Sequence, residues 1–261
     1  MNILDKIVAD KRKEVGLKKS ILPASQYEKS VLFERQPNSL SEALRNSETG
    51  IIAEHKRRSP SKSTINQNTN VGQVAQGYEK AGVCGMSVLT DIKYFGGCIE
   101  DLLLARASVE IPLLRKEFII DEYQLLEAKA YGADVILLIA AVLSRQEIKH
   151  LSEFAKSLGL EVLLEVHNQE ELEKSVMPSL DMLGVNNRNL KTFEVSLDTS
   201  KELSMLIPDD FVKVSESGIS SIEAIKSLKE FGYRGFLIGE NFMKTDNPGK
   251  SAKMFIDQLN K

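Results

Sequence analysis

A carboxylate and an ammonium stand two residues apart where an apolar run turns polar. Glu54 and Lys56 close the run that begins at Ile51, and in a β-strand side chains two apart point to the same face. The chain then turns at Ser59 and Pro60. This arrangement is typical of the active-site end of a barrel strand. The alternative is a surface salt bridge beside a turn.

Further apolar runs end in polar side chains. Each end alone is compatible with a solvated strand terminus, but chemistry in a barrel sits at its mouth, where the carboxyl ends of the strands meet. Because buried charges need partners or a purpose, the convergence of several such ends predicts one functional site. Beyond Glu54 and Lys56, these ends contribute Lys116 with Phe118, Glu165, Asn186 with Arg188, Glu216 with Ser217 and Gly218, and Gly239 with Glu240.

Two glycines follow the last two of these runs. Gly218 and Gly239 would let the backbone approach a ligand closely, and N–H groups at helix N-termini bind anions. Barrels often hold a phosphate after strands seven and eight, and Ser59 would add a hydroxyl. The residues therefore predict a phosphorylated small-molecule ligand and show no metal or cofactor motif. A simple turn requirement is the alternative for the glycines.

Short apolar runs alternate with helical patterns through most of the chain. Eight strand–helix units favour a parallel sheet, since parallel strands need crossover helices. Closed on themselves, such units form an α/β fold of the (β/α)8 TIM barrel type. An open doubly wound sheet is disfavoured because no Gly-x-Gly-x-x-Gly turn follows an early strand. The predicted strands are residues 51–54, 86–89, 112–115, 135–139, 162–165, 183–186, 212–214 and 236–238.

The N-terminal part of the chain is predicted to be a helical extension. Apolar positions from Asn2 to about Leu17 have helical spacing, and a second helix is predicted near Ser39. Residues 1–48 thus form an extension within a single barrel domain of residues 1–261, and residues 61–70 form a long loop, a candidate lid. Capping boxes are predicted at Ser39 with Glu42, Asp121 with Gln124, Ser144 with Glu147, Asn168 with Glu171 and Ser220 with Glu223.

The composition excludes several classes of protein. The 261 residues carry a net charge of -3, without the basic excess expected for a nucleic-acid or membrane partner. No signal peptide or membrane-length apolar run is evident, so we expect a cytoplasmic protein. Cys84 and Cys98 lack zinc-like spacing and are expected to be free thiols. His55 is expected to face helices or solvent and His167 to be peripheral, and no histidine is assigned a catalytic role.

Together these motifs resemble the indole-3-glycerol-phosphate synthase family, nearly from end to end. The resemblance implies a barrel enzyme of tryptophan biosynthesis. Its reaction closes 1-(2-carboxyphenylamino)-1-deoxyribulose 5-phosphate to an indole with loss of carbon dioxide and water. The order and spacing of the blocks make the resemblance specific. The blocks are residues 3–11, 52–62 (Ile-Ala-Glu-His-Lys-Arg-Arg-Ser-Pro-Ser-Lys), 87–91 (Ser-Val-Leu-Thr-Asp), 95–97 (Phe-Gly-Gly), Lys116 with Phe118, 184–188 (Gly-Val-Asn-Asn-Arg), 216–218 (Glu-Ser-Gly) and 237–240 (Leu-Ile-Gly-Glu).

The resemblance also implies roles for the charged side chains. Lys116 would be the general acid that protonates the ribulose carbonyl, and Glu165 would stabilise the cationic intermediate and act as an acid or base around dehydration. Lys56 would hold the substrate carboxylate or donate a proton in the second stage, oriented by Glu54. The residues leave open whether burial and Lys56 lower the pKa of Lys116 or the glutamates raise it.

The remaining positions match binding sites of the family. Phe118 would pack on the anthranilate ring. Because decarboxylation restores aromaticity, the resemblance implies no electron-sink cofactor. Other tryptophan-pathway enzymes are possible partners. The substrate-positioning residues would be Asn186, Arg188, Glu216 and Ser217, and the phosphate-binding residues Ser59, Gly218, Gly239 and Glu240.

The sequence departs from the family pattern without losing a proposed catalytic group. Glu117 stands where Asp is most common, and Asn189 also replaces a usual Asp. One rival is another phosphate-binding barrel, such as a phosphoribosylanthranilate isomerase, but no cysteine ends a strand as that reaction requires. A degenerate barrel kept as a binding subunit predicts loss of Lys116 or Glu165, and both are present.

Overall fold

Eight parallel strands close into a barrel, with helices between them. In a computed structural model that describes residues 3–190 and 192–261, each strand pairs with its neighbours in the chain, and the last pairs with the first. The predicted (β/α)8 TIM barrel is confirmed. The strands are β1 (Ile51–His55), β2 (Gly85–Leu89), β3 (Leu113–Lys116), β4 (Val135–Ile139), β5 (Glu161–Val166), β6 (Met182–Asn186), β7 (Val212–Glu216) and β8 (Gly235–Ile238).

The first helix is longer than its apolar spacing predicts. It ends at Ile21 rather than near Leu17, and its predicted start at Asn2 lies outside the described residues. No helix in the described ranges is long and apolar enough to cross a membrane. The helices are α1 (Ile3–Ile21), α2 (Leu40–Arg45), α3 (Val71–Ala81), α4 (Ile92–Phe95), α5 (Ile99–Arg106), α6 (Glu122–Ala130), α7 (Arg145–Ser157), α8 (Gln169–Ser175), α9 (Asp198–Ser204), α10 (Ile222–Glu230), α11 (Glu240–Met243) and α12 (Pro248–Leu259).

Short polar side chains cap several helices at the predicted residues. Of the predicted capping boxes, the one at Ser144 is reciprocal: its side chain accepts the N–H of Glu147, whose carboxylate accepts the N–H of Ser144. The cap predicted at Ser220 is wrong, because Ser221 takes that position and accepts the N–H of Ala224. The predicted caps that accept a backbone N–H are Ser39, Asp121, Ser144 and Asn168.

Both faces of each barrel strand are buried, which explains the nearly continuous apolar runs. On β1, Ile52 points into the barrel interior while Ile51 packs beneath the surrounding helices. On β3, Leu114 likewise points into the barrel interior, while Leu113 packs beneath the helices. The alternation follows from the two-residue period of a strand. It also determines which side chains at the carboxyl ends point into the mouth.

The two N-terminal helices lie at opposite ends of the barrel. From α2, Leu40 and Leu44 are fully buried and approach Gly85 and Gly235, the first residues of β2 and β8. The helix therefore closes the amino end of the barrel. From α1, Ile7 joins the interior cluster and lines a cavity at the carboxyl ends of the strands.

Candidate active site

A cavity of about 360 Å³ occupies the mouth of the barrel. Its walls combine strand ends with the N-terminal helix α1, so both parts of the chain shape it. The sequence-predicted site residues, which lie far apart in the chain, all line this cavity: Glu54, Lys56, Ser59, Lys116, Phe118, Glu165, Asn186, Arg188, Glu216, Ser217, Gly218, Gly239 and Glu240.

An ammonium between two carboxylates lies on the floor of the cavity. The Nζ of Lys116, at the end of β3, contacts the Oε2 of Glu216 on β7 and lies 3.4 Å from the Oε2 of Glu165 on β5. The amide of Asn186 on β6 donates to the Oε1 of Glu165 at 3.1 Å. A Cβ at Gly184 would lie 2.9 Å from the Oε1 of Glu216, so this glycine makes room for the carboxylate.

The glutamates determine the charge of Lys116. Burial alone would lower its pKa, but Glu216, Glu165 and Glu54 outweigh burial and raise it well above the usual value. For Glu165, burial is outweighed by Lys116 and His167, which hold its pKa well below the usual range. For Glu216, burial raises the pKa to about 7 against the pull of Lys116, and the charge of Glu165 adds to the rise. The two carboxylates thus differ in acidity.

A second charge pair also lines the cavity. The Nζ of Lys56 is 2.6 Å from the Oε1 of Glu54, as expected for two side chains on one face of β1. Gly239 follows β8 with an ordinary φ of -112°, so it is not required for backbone conformation. A Cβ there would overlap the Glu54 carboxylate. The glycine is therefore needed for space, which differs from the turn requirement considered from the sequence.

The turn after β7 has an unusual backbone. Ser217 and Gly218 have φ values of 69° and 78°, in the left-handed region that few side chains adopt. The amide of Asn187 donates to the carbonyl of Glu216 at 3.0 Å and to that of Ser217 at 3.1 Å, and so stabilises the turn. Asn187 was not predicted as a site residue from the sequence, although it directly follows β6, where alternation turns its side chain away from that of Asn186 toward this loop.

An apolar wall faces the charged floor. The ring of Phe118 packs on Phe95 from α4, with centroids 6.0 Å apart. From α1, Leu4 and Ile7 line the same cavity. The contribution of α1 could not be read from its sequence, because helical spacing shows an apolar face without showing what it covers.

Salt bridges and hydrogen bonds tie down the rim of the cavity. The Oε1 of Glu240 lies 2.7 Å from the Nζ of Lys62, which neutralises a carboxylate at the predicted phosphate site. The guanidinium of Arg188 donates to the carbonyl of Phe193 at 3.1 Å. The Oγ of Ser59 lies 3.1 Å from the Oγ of a neighbouring serine. These partners hold the rim side chains around the opening.

The two histidines nearest the site differ. Burial and the charge of Arg57 lower the pKa of His55 to about 4, so this imidazole is neutral. His167 was expected to be peripheral; it does not line the cavity, but its Nε2 lies 3.2 Å from the Oε1 of Glu165, which does. His167 comes directly after β5, two residues beyond Glu165, and the two-residue period of the strand brings the two side chains together.

The two thiols and the acidic groups show no metal-binding arrangement. Cys84 is buried, Cys98 is half-buried, and both are free. Across residues 3–190 and 192–261, no group of three or more His, Cys, Asp or Glu side chains is arranged to hold a metal ion.

Glu117, which stands where the family mostly has Asp, lies within a buried network. Its carboxylate accepts a hydrogen bond from Thr90 at 2.8 Å and pairs with Lys11 at 3.1 Å.

Comparison with known sequences gives matches along almost the whole chain. A sequence model of the family described as indole-3-glycerol phosphate synthase matches residues 4–255. The indole-3-glycerol phosphate synthase of Bacteroides thetaiotaomicron is 48% identical over 258 residues, covering 99% of each chain. That of Koribacter versatilis is 41% identical, covering 97% of this chain and 98% of its own.

Solved structures share the architecture at low sequence identity. KGPDC from Streptococcus mutans superposes with a TM-score of 0.59 at 12% identity, covering 81% of this chain and 97% of that one. The 3-hexulose-6-phosphate synthase of Salmonella typhimurium gives 0.61 at 13% identity, covering 81% and 98%. At such identities the likeness shows the barrel fold alone.

Proposed function

Because this chain belongs to the indole-3-glycerol phosphate synthase family, we propose that Lys116, Glu165 and Lys56 divide the chemistry of that reaction between them. The reaction closes 1-(2-carboxyphenylamino)-1-deoxyribulose 5-phosphate to indole-3-glycerol phosphate and releases carbon dioxide and water. The observation that carries the proposal is the ammonium of Lys116 between two buried carboxylates beneath an apolar wall.

Lys116 is the general acid of ring closure. The glutamates keep it protonated, so it enters the reaction with a proton to give. As the aromatic carbon attacks the ribulose carbonyl, the ammonium donates that proton to the carbonyl oxygen and stabilises the charge that develops there. Loss of carbon dioxide then restores the aromatic ring without an electron-sink cofactor.

Glu165 acts after ring closure. Its low pKa keeps it ionised, so it stabilises the cationic intermediate and accepts or returns a proton around the loss of water. Lys56 holds the substrate carboxylate or supplies a proton in this second stage, and Glu54 at 2.6 Å orients it. Asn186 and Glu216 position the substrate around these groups.

The two ends of the substrate bind different walls of the cavity. Phe118 packs on the anthranilate ring, supported by Phe95. The phosphate lies between the turn at Ser217 and Gly218 and the start of α11, where close backbone approach is possible. The residues assigned to substrate and phosphate contacts at the rim are Arg188, Ser59, Gly239 and Glu240.

The setting of the reaction is part of the same proposal. We place it in the cytoplasm, with a sugar phosphate as the partner molecule and without nucleic acid or membrane. The bacterial relatives that share the whole length of the chain are biosynthetic enzymes by name, which supports this setting. Contacts with other enzymes of tryptophan biosynthesis remain compatible with it.

Turnover of the carboxyphenylamino substrate tests the proposal. Purified protein is mixed with the substrate, and indole fluorescence is followed with chelator present. We expect a saturable signal, and Glu165→Gln should lower the turnover number by about 100-fold or more. Glu170→Gln, at an exposed position on α8, serves as the control. No signal from folded wild-type protein would overturn the proposal, and an unchanged rate in Glu165→Gln would remove that residue from its role.

A further inference from the structure

The imidazole of His167 lies between two carboxylates. Its Nε2 is 3.2 Å from the Oε1 of Glu165 in the cavity, and its Nδ1 is 3.1 Å from the Oε2 of Glu171 on α8. A neutral imidazole has only one N–H, whereas a carboxylate on each side favours a proton on both nitrogens. Contact with the two carboxylates outweighs the effect of burial and raises the pKa of His167 to about 10. The ring therefore carries a positive charge at neutral pH.

The outer carboxylate is held firmly in place. The Oε2 of Glu171 accepts the backbone N–H of His167 at 2.9 Å, and its Oε1 accepts from the amide of Asn168 at 3.1 Å. Because α8 begins at this point, the helix and the strand fix Glu171 together. The imidazolium is thereby anchored from the side of the helices, away from the cavity.

Glu165 needs this second positive charge because its first one is shared. The groups that face it are Lys116 from β3, Asn186 from β6 and His167 just after β5, and Glu216 from β7 acts through Lys116. Lys116 contacts Glu216 more closely than it contacts Glu165. Without His167, Glu165 would have only the shared ammonium at 3.4 Å and one neutral amide near it among the described residues. An incoming substrate adds a carboxylate and a phosphate, which further favour protonation of Glu165.

What His167 supplies is charge rather than a directed hydrogen bond. Although its Nε2 lies 3.2 Å from Glu165, the alignment is too poor for a hydrogen bond, and no other described atom accepts from it. Electrostatic attraction at this distance does not need alignment. A neutral residue of similar size would therefore not replace the imidazolium.

We propose that His167 is a positioning residue, anchored by Glu171, whose positive charge keeps Glu165 ionised while the anionic substrate is bound. The inference rests on the proposed function of Glu165. Since His167 does not line the cavity, it acts through Glu165 and does not touch the reacting atoms. No motif suggested this role, because His167 lies beyond the predicted end of its strand.

The pH dependence of turnover tests the role of His167. In His167→Gln, the acidic limb of the kcat profile should move up by about one pH unit, so that turnover is reduced on that limb and matches the wild type on the plateau above it. Glu171→Gln should shift the limb in the same direction, and the double variant should shift it no further than His167→Gln. His150→Gln is the matched control, since His150 pairs with Glu122 at 2.8 Å on an exposed surface.

A carbon-13 titration of the glutamate side chains gives an independent measurement. In His167→Gln the carboxyl signal of Glu165 should titrate at a higher pH than in the wild type. An unchanged profile together with an unchanged Glu165 titration would overturn the inference, and so would a loss of turnover that is equal at all pH values. An inactive wild type would overturn the proposed function instead. The titration would still show whether the charge of His167 lowers the pKa of Glu165. If His167→Gln does not fold, the Glu171→Gln titration decides it.

Discussion

The barrel buries carboxylates at both of its ends, and the two ends bind them differently. At the amino end, Asp134 precedes β4 and is fully buried. Its Oδ1 accepts from Arg35 at 2.6 Å and from the N–H of Asn38 at 2.7 Å, and its Oδ2 accepts from Arg106 at 3.0 Å and from the N–H of Leu113 at 2.7 Å. Each oxygen of Asp134 therefore has two donors.

At the mouth, Glu216 has far fewer donors. Its Oε2 contacts Lys116, while its Oε1 has no hydrogen-bond partner among the described residues. Burial and the nearby Glu165 raise its pKa to about 7 despite Lys116. Burial alone therefore does not mark a functional acid. A carboxylate with its acceptor positions filled stabilises the fold, whereas one with few donors at the wall of a cavity keeps a raised pKa and can exchange a proton.

The largest effect is expected when the mouth loses its ammonium. Lys116→Ala removes the general acid and leaves Glu165 and Glu216 without their shared cation. Turnover should fall by about 10²- to 10⁴-fold, which corresponds to about 3–5 kcal/mol in the activation barrier. The indole fluorescence assay measures this, with Lys149→Ala on the exposed face of α7 as control. A near-normal rate would place the general acid elsewhere.

Stability, rather than turnover, should change at the amino end. Asp134→Asn leaves Arg35 and Arg106 without their buried countercharge, and removing one partner of a buried pair costs about 3 kcal/mol or more. Urea unfolding should show this loss, while the folded variant turns over substrate normally. Asp257→Asn, in an exposed pair with Lys253, should change stability by less than about 1 kcal/mol. A folded but inactive Asp134→Asn protein would show that the carboxylate at the amino end also serves turnover, contrary to this prediction.

A smaller, pH-dependent effect is expected at Glu216. Its pKa of about 7 in the folded protein exceeds the ordinary value of 4.5, so the folded state binds the proton more tightly. The resulting stabilisation is complete below pH 4.5 and is lost as the pH rises through 7. Relative to Glu216→Gln, which cannot titrate, the wild type should therefore lose about 2 kcal/mol between pH 5 and pH 8. Urea unfolding of both proteins at both pH values measures this loss. A stability difference between wild type and Glu216→Gln that is equal at pH 5 and pH 8 would contradict the prediction.

The sequence predicts what depends on local periodicity. All eight strands and the residues at their ends follow from apolar runs and two-residue alternation, so residues as distant as Glu54 and Glu216 were expected at one mouth. The cap at Ser221 was missed by one position, because two adjacent serines offer the same side chain. The packing of Ile7 into the cavity depends on contacts between distant parts of the chain, which periodicity does not encode.

The roles of Glu216 and Asp134 could not be separated from the sequence. Both are acids beside apolar strands, and the difference lies in the donors that the fold brings to them. Arg35 and Arg106 lie far from Asp134 in the chain and reach it only after the barrel closes. The count of donors around a buried acid is thus a tertiary property. By contrast, the glycines that make room for carboxylates at the mouth can be seen in the sequence. The carboxylates that require them to be glycine are known only from the fold.

The smallest effect is expected from Gly239→Ala. The φ of -112° at this residue suits any amino acid, so the backbone should not be strained. The new Cβ would instead overlap the carboxylate of Glu54 and displace it from Lys56. Loss of that orientation should lower kcat/KM by about tenfold, or about 1.4 kcal/mol, with little change in the free energy of unfolding.

Two further variants separate this effect from a general response to alanine. Gly16→Ala adds a Cβ within α1 where no atom lies within 4 Å, and should stabilise the protein by about 0.5–1 kcal/mol without changing kcat/KM. Because Gly239→Ala acts through the pair of Glu54 and Lys56, combining it with Lys56→Ala should cost less than the sum of the two single changes. Additive losses would show that the methyl group disturbs the cavity by another route, and that the glycine does not serve the charge pair.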